Sequence, residues 1–199
     1  MKTPSRLVLA TRNPGKVGEF RHATADLGLT LLTPGDFPDA PEVDEDRDTL
    51  AGNAEKKARS LFDHTGLPSL ADDTGLEVDA LGGRPGVYSA RYAGEDCTPA
   101  DNRAKMLAEL DGVTSRSARF RTVLAYIDES GTSYTFDGVC EGTILTEERG
   151  DGGFGYDAIF QPAGYTETFA ELSKDEKNRI SHRGKAVARF VTWLTADSS

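Results

Sequence analysis

The chain has 199 residues, with 23 Lys and Arg against 33 Asp and Glu, for a formal charge of −10 at neutral pH. That length suits one domain or two small lobes, and the charge argues against general affinity for DNA, RNA or anionic membranes. No apolar run nears the roughly 18 residues of a membrane span. Leu7-Val8-Leu9-Ala10 is too short for the core of a secretory signal, and Cys97 and Cys140 are too few and too far apart for a disulfide framework or metal knuckle. The expectation is a soluble, reduced, cytoplasmic protein forming a single domain over 1–199.

In chain order, residues 6–10 read as a short buried strand and Val17 to Leu27 as a helix stopped by Gly28. A second helix runs from about Leu50 to His64, with Leu50, Ala54, Ala58, Leu61 and Phe62 on one face. Residues 67–71 and 76–81 read as two strands flanking a polar interruption, Asp72-Asp73-Thr74-Gly75. Thr98 reads as an N-cap, with Pro99 at the first helical position and Asp101 three after the cap. Ala100, Ala104, Leu107 and Leu110 then form the apolar stripe and Gly112 the stop. Residues 118–128 and 132–146 are rich in β-branched and aromatic residues, and Glu129-Ser130-Gly131 between them predicts a hairpin. A strand over 156–161, a short helix opened by Ser173-x-x-Glu176, and a last helix from His182 to Thr195 complete the chain. Val187, Phe190, Val191 and Leu194 face inward on the last. Alternating strands and helices with one long hairpin predict an α/β fold with a mixed central sheet.

Five stretches carry chemistry-bearing residues. Thr11-Arg12-Asn13-Pro14-Gly15-Lys16 joins a strand to a helix, where exposed N–H groups and the helix dipole suit a phosphate. A plain helix-capping turn is the alternative, and the spacing is not that of a Walker A loop. Asp72-Asp73-Thr74 could hold a divalent cation and orient water, or form a turn. In extended backbone the two carboxylates point to opposite faces, so one leads the chemistry and the other supports it. The acidic run Glu42, Asp44, Glu45, Asp46 and Asp48 is either a solvated face or the source of a second magnesium carboxylate. Gly152-Gly153-Phe154-Gly155-Tyr156-Asp157 could bring backbone against a flat ligand stacked on an aromatic ring, or could be a glycine-rich turn. Finally, Lys174 to Arg189 carries six cations against two acids, a local excess suited to an anionic ligand.

Together these pieces resemble the Ham1-like ITP/XTP pyrophosphatase family. The matching motifs are Thr11-x-Asn13-x-x-Lys16, Asn53-Ala54 with Lys57-Ala58, Ala71-Asp72-Asp73-Thr74-Gly75, Gly86-Val87-Tyr88-Ser89-Ala90-Arg91, Gly152 to Asp157, and Ser181-His182-Arg183-Gly184. They stand in the family's order from residue 11 to 184. The resemblance implies two α/β lobes with long strands around a substrate cleft, usually as a homodimer. It implies magnesium-dependent hydrolysis of inosine and xanthosine triphosphates, ribo or deoxy, to the monophosphate and pyrophosphate. Carried over residue by residue, Thr11, Arg12, Asn13, Pro14, Gly15 and Lys16 hold the triphosphate. Asp73 is the proton acceptor and a metal ligand, and Glu45 is the second metal carboxylate, with Asp44 or Asp46 as alternatives. Thr74 replaces the family's substrate-contacting serine. Phe154, Gly155, Tyr156, Asp157, Lys177, His182 and Arg183 hold the base. Leu50 and Gly52 stand where the family commonly has Phe and Glu. Two rivals are a Maf-like pyrophosphatase acting on modified pyrimidine or methylated nucleotides, and a nucleotide-binding regulatory module without turnover.

Overall fold

The computed structural model describes residues 3–196. Its strands are β1 (Arg6–Leu9), β2 (Thr30–Leu32), β3 (Ser69–Val78), β4 (Pro85–Gly86), β5 (Ser117–Ile127), β6 (Ser133–Ile144) and β7 (Phe160–Pro162). Its α-helices are α1 (Pro14–Ala23), α2 (Leu50–Thr65), α3 (Pro99–Glu109), α4 (Lys174–Ile180) and α5 (His182–Ala196). Strand order is β2-β1-β3-β5-β6-β7, with β4 on β3. β1 runs parallel to β2 and β3, pairing Leu7 with Leu31 and Leu9 with Leu70. β4 and β7 run antiparallel to β3 and β6. The expected mixed α/β sheet with two long strands is therefore present.

The chain divides into two compact units. The first comprises residues up to 73, 122–138 and from 183 onward; the second comprises 74–121 and 139–182. In the first, Leu7, Leu9, Phe20, Leu70, Leu124 and Tyr126 pack with Val187, Phe190 and Leu194 of α5. In the second, Leu76, Met106, Leu110, Phe120, Ile144, Phe160 and Phe169 form the core, with the Phe120 and Phe160 rings edge-on at 4.7 Å. Each such large apolar side chain adds about 1.5–3 kcal/mol of transfer free energy on burial.

Helix ends follow local chemistry. Thr49 caps α2 by accepting from Gly52 N, and Gly66 closes it in the left-handed region at φ 65°. Thr98 and Asp101 exchange side-chain and backbone hydrogen bonds in a capping box that opens α3. At the hairpin, Asp128 Oδ1 accepts from Ser130 N and Thr132 N, which fixes the turn.

Four expectations need correction. The first helix starts at Pro14, capped by Asn13, and ends at Ala23; only a 3-10 turn, Ala25–Leu27, follows. Its termination coincides with the Thr24 hydroxyl donating to Phe20 O at 2.8 Å. Asp72 to Gly75 is no interruption, because β3 runs unbroken through it. Gly75 permits this, since a Cβ there would stand 2.6 Å from Gly86 O on the adjacent strand. The buried face of α3 is Asn102 and Met106, leading to Leu110, whereas Ala100 and Ala104 are exposed. Asn102 is tied down by accepting from Ala93 N and donating to Ala90 O. Residues 157–159 form a 3-10 turn, not a strand, and β7 starts at Phe160. That turn lets the Asp157 carboxylate reach back to Phe154 N at 2.7 Å.

Candidate active site

In the first unit, β3 is the axis on which charge is organised. Asp72 is 1% exposed and Asp73 5%, and they meet different partners, as alternation along a strand requires. Asp72 takes Lys16 Nζ at 3.0 Å and Arg183 Nε at 3.1 Å. Arg183, 3% exposed, also donates from Nη1 to Glu19 Oε2 at 2.6 Å. Burial pushes the Asp72 carboxyl up, but Lys16, Arg183 and Lys57 outweigh it and hold the group far below the usual carboxylate range. Burial likewise pulls the Lys16 ammonium below its ordinary value, and Arg183 and Lys57 add to the fall against the opposing pull of Asp72.

Asp73 is less compensated. Its Oδ2 accepts from Asn53 Nδ2 at 3.2 Å and its Oδ1 from Lys57 Nζ at 3.3 Å. Burial raises its pKa; Lys57 opposes the rise and Glu45 adds to it. Lys57 Nζ also donates to Glu45 Oε1 at 2.5 Å, so one ammonium stands between two carboxylates. Burial lowers the pKa of that ammonium, yet Asp73, Asp72 and Glu45 together carry it above its ordinary value. Within the acidic run, Asp46 pairs with Lys56 and Asp44 lends its carbonyl to the same lysine; Glu45 is the member that faces Lys57. Asn53 Oδ1 holds the loop by accepting from Arg47 N at 2.9 Å.

The expected triphosphate loop is ordered by its own side chain. Asn13 Oδ1 accepts from Gly15 N at 2.9 Å and Lys16 N at 3.3 Å, so the loop caps α1. Those two N–H groups are thereby engaged, and the donors the loop offers are the side chains of Thr11, Arg12 and Lys16. Thr11, Arg12, Glu42, Asp44 and Lys57 line a groove of about 300 Å³ in this unit.

The second unit carries the aromatic and glycine residues. Phe154 is 36% exposed, one of the few large apolar side chains open to solvent. Lys177 Nζ lies 4.6 Å from the centroid of the Phe154 ring and donates to Asp157 Oδ2 at 2.6 Å. The same Asp157 oxygen accepts from Phe154 N. Gly153 sits at φ 71°, and a Cβ there would fall 2.2 Å from Asp157 Oδ2. Tyr156 is buried, its hydroxyl donating to Ser89 O at 2.8 Å, so it anchors the loop from below. His182 is buried and stacks on Phe120 at 4.6 Å, and Thr74 is half-buried on β3.

Thus Thr11, Arg12 and Lys16 gather with Glu45 and Asp73 in one unit, while Phe154, Gly155, Asp157 and Lys177 gather in the other. Arg183, expected at the base, donates to Asp72 and Glu19. Asn53 and Lys57, which share a matching motif, also reach Asp73. Their spacing of four residues on a helix, which puts both side chains on one face, was the available signal.

The donor set fits a magnesium ion. Asp73 and Glu45 are hard-oxygen carboxylates that approach one point, now marked by the Lys57 ammonium. Magnesium takes one or two protein carboxylates and completes its shell with phosphate and water oxygens. Among the described residues no group of three or more His, Cys, Asp or Glu is assembled for a metal.

Comparison with known proteins gives a consistent result. The Ham1 family model matches residues 7–193. The dITP/XTP pyrophosphatase of Desulforamulus reducens is 51% identical over 191 residues, covering 95% of each chain. That of Geobacter sulfurreducens is 51% identical over 192 residues, covering 96% of each. The structure of a HAM1 protein from Coxiella burnetii superposes with a TM-score of 0.89 at 41% identity, covering 96% of this chain and 98% of that one. With the motifs of residues 11 to 184 embedded in the matched span, the chain belongs to the Ham1 family.

Proposed function

We infer that this protein hydrolyses purine nucleoside triphosphates bearing hypoxanthine or xanthine to the monophosphate and pyrophosphate, and so removes them from the nucleotide pool. The observation that carries the reading is the pair of adjacent buried carboxylates with opposite environments. Asp72 is fully countered by cations, whereas Asp73 faces an acid and a lysine and has a raised pKa. Near-full-length relatives named dITP/XTP pyrophosphatase support the substrate class.

Thr11, Arg12 and Lys16 hold the triphosphate, with Asn13, Pro14 and Gly15 shaping the loop. Lys57 adds a fixed positive charge. Asp73 and Glu45 hold magnesium, which when bound draws off phosphate charge. Asp73 takes the proton from a water whose oxygen attacks the α-phosphorus, and the bond to the bridging oxygen breaks to release pyrophosphate. The chain's main contribution is positioning and electrostatic stabilisation, as phosphoryl transfer requires. Phe154 offers a face for the base, and Lys177, held by Asp157, offers a donor to the 6-oxo group where adenine would present an amine. Thr74, His182 and Arg183 complete the substrate contacts. Among the described residues no helix is long and apolar enough to cross a membrane. A cytoplasmic homodimer is the setting we assign by the family resemblance.

The test is turnover of inosine triphosphate with magnesium beside ATP and GTP at equal concentration, with products separated by chromatography. Inosine monophosphate plus pyrophosphate, with ATP and GTP nearly inert and activity abolished in Asp73→Asn, is the expected result. Diphosphate plus orthophosphate would overturn the site of attack. Binding without turnover would favour a regulatory module.

A further inference from the structure

The segment Gly152 to Asp157 is poor in intrinsic stiffness. Gly153 and Gly155 both take positive φ, at 71° and 63°, and glycine samples many other conformations at little cost. Its order must come from outside. Gly152 N donates to Ala170 O, Phe154 N to Asp157 Oδ2, and the Tyr156 hydroxyl to Ser89 O. These contacts hold both ends of the segment and leave the Gly155 carbonyl, between Phe154 and Tyr156, to a fourth partner. Arg103 on α3, 52 residues away, donates to that carbonyl from Nη1 at 2.8 Å.

Arg103 is itself aimed. Its Nε lies 2.9 Å from Glu148 Oε1, and its side chain is 18% exposed. The capping box and the buried Asn102 and Met106 fix the helix that carries it. A charged donor on a neutral carbonyl belongs to the stronger class of hydrogen bonds, and the Glu148 carboxylate, close to Nε but not aligned as its hydrogen-bond acceptor, biases the guanidinium by charge.

We propose that Arg103, oriented by Glu148, is a positioning residue for base selection, fixing through the Gly155 carbonyl the angle at which Phe154 presents its ring. This rests on the reading that Phe154 to Asp157 hold the base. Arg103 acts on the substrate through the loop and takes no part in the chemistry at phosphorus. The Lys177 donor and the Phe154 ring must keep one mutual geometry to tell a 6-oxo from a 6-amino purine, and Gly155 is the residue between the ring and the rest of that set.

The experiment compares wild type with Arg103→Met, which keeps length and removes both contacts, and Arg103→Lys, which keeps the charge on one donor. For Arg103→Met, the KM for inosine triphosphate should rise about tenfold, the fold-change of one lost charged hydrogen bond. Its kcat should stay within about threefold, since nothing at the phosphorus is altered. The inosine-to-adenosine preference should fall with the KM effect, and Arg103→Lys should recover part of it. Hydrogen exchange of the unliganded protein over 152–157 should quicken in the Met variant and not elsewhere in the second unit. A lower melting temperature with KM, preference and loop exchange unchanged would make Arg103 merely structural and overturn the proposal. So would a fall in kcat alone. If the wild type shows no base preference, the base-loop reading fails, while the exchange data still decide whether Arg103 holds the loop.

Discussion

Replacing each of two neighbouring aspartates by asparagine should separate stability from catalysis within one dipeptide. In Asp72→Asn the Arg183 guanidinium keeps Glu19 at 2.6 Å, but Lys16 loses the carboxylate that holds it. Breaking a buried pair so that one charge is left uncompensated costs about 3–5 kcal/mol. Lys16 already has a lowered pKa, so release of its proton caps the penalty, and the lower end, about 3 kcal/mol, is expected. For a chain of this size 1 kcal/mol shifts the melting temperature by about 2–4 °C, so Asp72→Asn should melt about 6–12 °C below wild type. Asp73→Asn differs because Lys57 keeps Glu45 at 2.5 Å and the new amide oxygen still accepts from Asn53. Removing an anion that burial disfavours offsets much of the lost attraction, and the net cost should be about 1 kcal/mol, or about 2–4 °C. Calorimetry at pH 7 without divalent cation or nucleotide measures both, beside turnover of inosine triphosphate. Asp73→Asn should be inactive and nearly as stable as wild type. A drop for Asp73→Asn equal to that for Asp72→Asn would refute the division of labour, and so would an Asp72→Asn melting point within 2 °C of wild type.

Three further outcomes are expected. Gly153→Ala places a Cβ 2.2 Å from Asp157 Oδ2 and should raise the KM for inosine triphosphate, whereas Gly82→Ala, also at positive φ but in open space, should leave KM unchanged; equal effects would show backbone strain alone at work. Glu45→Gln should raise the magnesium concentration for half-maximal activity about tenfold or more, with Asp44→Asn close to wild type; the reverse order would move the metal carboxylate to Asp44. The Arg149 guanidinium, with Thr168 N, holds the Glu171 carboxyl at about 2, below its ordinary 4.5. A depressed folded pKa stabilises above the unfolded value and is lost as pH falls through the folded one. The melting-point gap between wild type and Glu171→Gln should therefore be full above pH 4.5, shrink toward pH 2 and close below it; a gap constant across that window would remove Arg149–Glu171 as a contributor.

What could be read from the sequence depended on whether the stabilising partner lay nearby in the chain. The capping box of Thr98 and Asp101, the Ser173 cap and the Asp128 hairpin turn are local devices, and each is present at its expected place. The break expected at Asp72 to Gly75 failed for the opposite reason. Asp72 is acceptable inside a buried strand because Lys16 comes from 56 residues before it and Arg183 from 111 after, and no local propensity carries that information. The α3 stripe was misplaced because two alanines fit helical spacing as well as Asn102 and Met106 do, and only burial separates them. Of the candidate site, Asp73, Lys16 and Phe154 stand in motifs of the sequence, whereas Glu45 is one of several acids in a run that spacing alone does not separate. The bridging position of Lys57 and the contact between Arg103 and Gly155 are properties of geometry that composition does not encode.

The interleaving of the two units along the chain has a consequence for synthesis. The second unit ends at residue 182, while the first, which begins the chain, still needs Val187, Phe190 and Leu194 of α5 to fill its core. On a ribosome, where chains emerge N-terminal end first at about 5–20 residues per second, β1 meets β2 and β3 early but waits for the part of its packing that α5 supplies. Leu7 and Leu9 lack their α5 neighbours until residues 187–194 have been made, whereas Val8 meets Ala40 and Leu61 much sooner. A chain stalled before α5 would thus leave Leu7 and Leu9 of β1 partly uncovered, so the loss of one helix would be felt at a strand far from it in the sequence.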